Sequence, residues 1–102
     1  MSYGRGKVMS KSIVSNEPEC LVCLTTRNLH RHHVYGGVGR RGKSERYGCW
    51  VYLCGRHHNM SNEGVHFNKE LDLRIKRMCQ KRWEETYGAR EDFIREFGMS
   101  YL

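Results

Sequence analysis

The sequence has no apolar run long enough to cross a membrane, and its N-terminus lacks the apolar core of a signal peptide. We therefore expect a cytoplasmic chain, in a compartment where disulfides are rare. The five cysteines are an odd number, and three of them stand at spacings typical of metal ligands. These features favour metal binding over a disulfide framework.

Apolar residues are also scarce. Only 38% of the 102 residues are hydrophobic, 28% are charged, and the mean hydropathy is −0.76. A chain of this length has room for one domain with a small core, so a bound metal would help it to fold. Acidic residues are outnumbered, 11 against 18 lysines and arginines, and the net charge of +7 suits a polyanionic partner.

Two segments are distinguished by composition. Residues 1–17 have little apolar periodicity and are predicted to be a basic flexible arm, with or without contacts to DNA. Residues 18–102 are predicted to form a single α+β domain. Within it, residues 29–35 and 50–53 predict two strands that pair around a polar, glycine-rich loop at 36–48.

The C-terminal part predicts two helices. Asn68 is the expected N-cap of a long amphipathic helix that ends near Gly88, and a shorter helix follows and ends near Gly98. Apolar residues that recur at helical spacing are expected to form the core: Leu71, Ile75, Met78, Cys79, Trp83, Tyr87, Phe93, Ile94 and Phe97. The aromatic residues of the shorter helix are expected to pack on the long one.

The strongest motif is C-x2-C-x30-C-x2-H, formed by Cys20, Cys23, Cys54 and His57. A structural zinc needs four tetrahedral ligands, which a tight turn and a strand end running into a helix can supply in pairs. The motif therefore predicts a zinc-stapled treble clef of knuckle, β-hairpin and short helix. His58 is an alternative fourth ligand that the spacing leaves open.

Two cysteines lie outside this motif. Cys49 stands five residues before Cys54, so along an extended strand their side chains would project to opposite faces. We predict that Cys49 is a packed or free thiol. Cys79 is predicted to lie in the core.

Histidines remain after the zinc ligands are assigned: His30, His32, His33, His58 and His66. Hydrolysis of a phosphodiester needs a base to activate water and a divalent cation to stabilise charge on the phosphate. One histidine as the base, with others holding a cation, would supply these parts.

The run ECLVC…LHRHHVYGG…WVYLCGRHHN resembles the HNH, or ββα-metal, nucleases of the zinc-containing treble-clef type. More narrowly, the chain resembles small HNH-like proteins of phages and prophages, and the catalytic domain of phage RecA-dependent recombination-enhancement nucleases. The resemblance covers roughly residues 18–68. It implies a metal-dependent DNA endonuclease in a bacterial host cell. Low sequence specificity is expected because the sequence contains no obvious groove-reading helix. The implied partners are DNA and a recombinase or another DNA-processing protein.

The resemblance also implies roles for individual residues. His33 falls at the position of the general base, and His32 and His58 fall at ligands of a catalytic cation, Mg²⁺ or another divalent ion. His66 is the candidate for one more ligand, the alternative being a loop histidine without that role.

One position departs from the family pattern. Cys49 stands where the middle asparagine of the HNH name is expected. A backbone carbonyl bonded to Nδ1 of His33, or the side chain of Asn59 or Asn62, would then have to orient the base. The alternative function is a non-catalytic zinc-binding module that binds nucleic acid or a host protein on the same scaffold.

The predicted loop between the strands carries four cations, Arg40, Arg41, Lys43 and Arg46. We expect them to contact DNA phosphates beside the active site, the alternative being an ordinary solvated loop.

Overall fold

The structure, a computed structural model, describes residues 11–102. Its elements in chain order are β1 (Leu29–His33), α1 (Arg41–Tyr47), β2 (Trp50–Cys54), α2 (Gly55–His58), α3 (Lys69–Thr86) and α4 (Arg90–Phe97). The predicted α+β class is confirmed. None of the helices in this part of the chain is both long enough and apolar enough to span a membrane.

The two strands form an antiparallel hairpin in which Leu29 pairs with Cys54 and His33 pairs with Trp50. Because side chains alternate along a strand, His30 and His32 lie on one face of β1 and Arg31 and His33 lie on the other. His33 therefore has different neighbours from His30 and His32.

The first strand ends earlier than predicted. Val34 still donates its backbone N–H to the carbonyl of Cys49, at 2.9 Å, but the N–H of Tyr35 donates to the Ser44 hydroxyl instead of the opposite strand. The chain leaves the ladder at this point because the Tyr35 ring packs among the C-terminal aromatic residues.

The predicted loop at 36–48 is wrong, because it contains the helix α1. Ser44 is the buried residue of this helix, and its hydroxyl accepts from the N–H of Tyr35 at 3.1 Å and donates to the Tyr35 carbonyl at 2.8 Å. Gly48 ends the helix in the left-handed conformation, with φ of 74°. A helix with a serine as its buried residue has no apolar stripe for periodicity to detect.

Within the described part of the predicted arm, residues 12–15 pack against the hairpin. Ser12 donates its hydroxyl to the carbonyl of Trp50, Ser15 accepts from the N–H of Tyr52 at 3.2 Å, and Val14 is buried. A strand of a two-stranded sheet has one edge without a partner strand, and these serines satisfy part of that edge of β2. Residues 1–10 of the predicted arm lie outside the described residues.

An aromatic core joins the hairpin to the C-terminal helices. The ring of Tyr35 lies 4.6 Å from that of Phe97 and 5.3 Å from that of Phe93, centroid to centroid. Trp83 of α3 contacts Phe93 of α4 at 5.5 Å. The prediction that the shorter helix packs its aromatic residues on the long one is confirmed.

The long helix begins as predicted, since the side chain of Asn68 accepts from the N–H of Leu71 at 3.1 Å. Its buried apolar stripe consists of Ile75, Cys79 and Trp83, at intervals of four residues.

Three apolar positions expected in the core are at the surface instead. Met78, Tyr87 and Ile94 are 41%, 47% and 40% exposed. Met78 and Ile94 lie beside the buried residues of their helices, and Tyr87 is the C-cap residue at which the long helix ends. The small core does not extend to these positions. Gln80, a polar residue, takes a buried place, and its amide donates to Glu84 and Ser100.

We predict that Ser44→Ala lowers the free energy of unfolding by about 1–3 kcal/mol, because it leaves buried backbone groups of Tyr35 without a partner. Urea unfolding measures the change. Ser61→Ala is the matched control, since the Ser61 hydroxyl bonds in a solvent-exposed turn. Equal losses at the two positions would contradict a special role for Ser44.

Candidate functional site

The four predicted zinc ligands lie together at one end of the hairpin. The sulfur atoms of Cys23 and Cys54 are 3.7 Å apart, and Nδ1 of His57 lies 3.3 Å from the Cys54 sulfur and 3.8 Å from that of Cys20. All four ligand atoms lie within 4.8 Å of one another.

These separations fit a zinc ion. Zn–S bonds of about 2.3 Å and Zn–N bonds of about 2.0–2.1 Å, at tetrahedral angles, place ligand atoms roughly 3.6–3.8 Å apart. Three thiolates and an imidazole are also donors that zinc prefers. The cluster is therefore compatible with a structural zinc, and the structure places His57, not His58, beside the cysteines.

The surroundings of the Cys20 thiol favour its thiolate form, which is the form that binds metals. Burial acts to raise the pKa of Cys20, but hydrogen bonds to the backbone, chiefly at Cys54 and Cys23, lower it to about 6. Burial raises the pKa of the Cys54 thiol. A metal ion that binds here would displace protons, so its affinity should increase with pH.

The remaining two cysteines lie in the core, as predicted. Cys49 and Cys79 have no exposed surface. A hydrogen bond between their thiols and their burial raise the pKa of Cys49 far above the usual range. Both lie within the packed interior, and Cys49 is a neutral thiol there.

A second cluster lies next to the first and consists of His32, His58 and His66. One nitrogen from each lies within 4.8 Å of the others, and the Nε2 atoms of His58 and His66 are 3.0 Å apart. Ring nitrogens that share one cation at bonds of about 2.0–2.1 Å lie roughly 2.9–3.4 Å apart. The three predicted ligands of the catalytic cation are thus brought together.

The state of His32 supports a ligand role. Its ring is buried, and its Nε2 has no hydrogen-bond partner among the residues that the structure describes. A buried polar atom without a partner costs free energy, and a bound cation would satisfy it. Burial, and then the positive fields of His58 and His66, lower the pKa of His32 to about 3.

His58 is held by neighbours at both of its ring nitrogens. Nδ1 lies 2.8 Å from Nδ1 of His30, while Nε2 faces the cluster. Burial, and then His66 and His30, lower its pKa to about 4. At neutral pH, His32 and His58 are therefore uncharged and have lone pairs for a metal ion.

The turn after α2 places His66 in the second cluster. Val65 and His66 donate their backbone N–H groups to the carbonyls of His57 and His58, at 2.8 and 3.2 Å. A side chain at Gly64 would begin 2.7 Å from the His58 carbonyl oxygen, so glycine permits this close approach.

His33, the predicted base, lies outside the second cluster but lines the same cleft of about 450 Å³. Its Nε2 lies 2.8 Å from Oε1 of Glu45 on α1. The partners anticipated for it were a backbone carbonyl at Nδ1, Asn59 or Asn62, and none of these is its partner among the described residues. Sequence reasoning missed Glu45, because this residue belongs to the segment interpreted as a loop.

The four predicted phosphate-binding cations are dispersed by the same helix. Arg41 lines the cleft. Lys43 instead donates to the carbonyl of Glu96 at 2.8 Å, Arg40 extends its guanidinium towards Gly98, and Arg46 lies 5.8 Å from the ring centre of Tyr47. The four cations therefore do not share one face, because helical spacing turns these side chains in different directions. Their contact with DNA phosphates stays a prediction.

Lys76 of α3 also lines the cleft. Its ammonium group pairs with Asp72, which lines the cleft too, at 2.9 Å. Cations on both α1 and α3 thus flank the histidines.

Comparisons with family models, with curated proteins and with solved structures found no match to this chain.

We predict about one tightly bound zinc per chain, which chelation removes with a fall in the unfolding temperature. Cys23→Ser should weaken zinc binding by about 100-fold or more, since even outer-shell substitutions cost about 10–100-fold. Cys23 is exposed, so this change disturbs little packing. Metal analysis after dialysis measures it.

The matched control is Cys79→Ala, which removes a buried thiol outside the cluster and should leave the zinc content unchanged. Folded native protein without zinc would contradict the prediction.

We also predict a second, weaker site for a transition metal, measurable by calorimetric titration of zinc-saturated protein with Ni²⁺. His58→Ala should abolish it. His30→Ala should weaken it by about 10–100-fold, because a ring that bonds the outer nitrogen of a ligand histidine orients that ligand. Unchanged Ni²⁺ binding in His58→Ala would count against the cluster.

Proposed function

We propose that the protein is a metal-dependent DNA endonuclease of the HNH type, built on a zinc-stapled treble clef. One observation carries the proposal: His33 and the three-histidine cluster line a single cleft beside a separate Cys3His cluster. A structural zinc alone would not require four further histidines in one place.

The base would act through Nδ1 of His33. Nε2 faces Glu45, and Nδ1 has no hydrogen-bond partner in the described part of the chain. A neutral imidazole with its proton on Nε2 can accept a proton from water at Nδ1. The hydroxide formed would attack the phosphorus, and the 3′ oxygen would leave.

His32, His58 and His66 would hold the catalytic cation. A bound divalent ion stabilises charge on the phosphate and the leaving oxygen. Three imidazoles suit Zn²⁺, Ni²⁺ or another transition metal better than Mg²⁺, which prefers oxygen ligands and bound water. We therefore favour a transition metal over the Mg²⁺ expected from the sequence.

DNA is the proposed substrate because the chain has a net charge of +7 and the cleft is flanked by Arg41 and Lys76. Contacts from such cations to phosphates give binding without reading bases. Low sequence specificity follows. A bacterial host cell and a recombinase or another DNA-processing partner remain part of this proposal through the resemblance.

Cys49 favours the second candidate, a non-catalytic zinc-binding module. Its thiol is fully buried, so the position of the HNH asparagine offers no polar group to the cleft. Such a module would bind DNA or another partner on the same surface without cutting.

We predict that the pure protein nicks supercoiled plasmid when Mn²⁺, Ni²⁺ or Zn²⁺ is supplied. His33→Ala should slow nicking by about 10²–10⁴-fold, the usual contribution of a general base. The variant should keep its zinc and its unfolding temperature.

Asn62→Ala, at an exposed turn position, is the control and should cut like the unaltered protein. Protein that binds plasmid but never cuts it, with Mg²⁺ or any of these ions, would overturn the nuclease proposal and favour the non-catalytic module.

A further inference from the structure

We propose that Glu45 is the positioning residue for His33, in the place of the missing asparagine; this inference rests on the proposed nuclease function. Oε1 of Glu45 lies 2.8 Å from Nε2 of His33, and Oε2 lies 2.6 Å from Nη2 of Arg31. One carboxylate thus bonds two side chains of β1.

The strand geometry makes this bridge possible. Arg31 and His33 are two residues apart on β1, so their side chains share one face. The Arg31 guanidinium is itself placed over the Trp50 ring, 3.7 Å from the ring centre. With its second oxygen bonded to Arg31, the Glu45 carboxylate has a defined rotation when it meets His33.

The helix that carries Glu45 is fixed by the residue before it. Ser44 is fully buried and makes two hydrogen bonds to the backbone of Tyr35, two residues after His33. α1 is therefore attached directly to the end of β1. The position of Glu45 relative to His33 is therefore fixed by the buried Ser44 contacts as well as by the Glu45–His33 bond.

The carboxylate determines which ring nitrogen is available. An ionised carboxylate only accepts hydrogen bonds, so Nε2 of His33 must carry the proton that faces Glu45. Nδ1 then keeps its lone pair for water. When Nδ1 takes a proton from water, the imidazolium lies against a negative charge, as in the Asp–His pair of serine proteases.

A surface ion pair is the competing role. The Glu45 and His33 side chains are 32% and 27% exposed, and pairs of this kind contribute only about 0–1 kcal/mol to stability. Glu45→Gln separates the two roles. The amide keeps the size of the side chain and an oxygen for Arg31, but it loses the charge and can donate to Nε2, which would trap the proton on Nδ1.

The test measures single-turnover cleavage at saturating plasmid, together with DNA affinity, zinc content and unfolding temperature, in Glu45→Gln. We expect cleavage to slow by at least about 10-fold, since a wrong tautomer of a base is costly. DNA affinity should be unchanged or tighter, and zinc content and unfolding temperature should be unchanged. Glu85→Gln makes the same change at an exposed position of α3 and should cut normally.

The failures of the two proposals are distinguishable. Cleavage by Glu45→Gln at the unaltered rate, with His33→Ala inactive, would overturn the role of Glu45 and leave the nuclease function standing. An unaltered protein that never cuts would overturn the nuclease function, and the role of Glu45 with it.

Discussion

The Cys3His cluster is the constraint on which the rest of the fold depends. It joins the turn at Cys20 and Cys23 to the junction of β2 and α2, more than thirty residues later in the chain. With 38% hydrophobic residues, the chain has few other means of fixing this end of the hairpin. The aromatic core around Tyr35 and Trp83 holds the opposite end. The Cys3His cluster would fix one end of the small domain when it holds a metal, and apolar packing fixes the other.

The same cluster determines where the second one forms. His57 and His58 are adjacent on α2, and because neighbouring helical residues point in different directions, one faces the cysteines and the other faces His32 and His66. An ion in the first cluster therefore orients a ligand of the second. Loss of zinc should disturb both, although the second cluster contains no cysteine.

The sequence was most informative where chemistry and spacing coincide. The four residues of the Cys3His cluster follow from C-x2-C and C-x2-H because few other functions need those residues at those intervals. The start of α3 at Asn68 and its buried stripe follow from capping and periodicity. The second cluster was predicted only from a family resemblance, since spacing does not show that His32, His58 and His66 lie close together.

What could not be predicted depends on contacts between distant residues. α1 has Ser44 as its buried residue and is held by the backbone of Tyr35, so its pattern is that of a loop. Glu45 lies beside His33 only because this helix forms. Met78 and Tyr87 have helical spacing but lie beyond the edge of a small core. Periodicity shows which face of a helix is apolar, but it does not show how far the core extends.

The most direct test of two separate metal sites is a crystal structure of the protein grown with Ni²⁺ after zinc loading, with anomalous data at both absorption edges. We expect zinc bound by Cys20, Cys23, Cys54 and His57, and nickel bound by His32, His58 and His66. A single metal at the cysteines, with the three histidines turned apart, would contradict it.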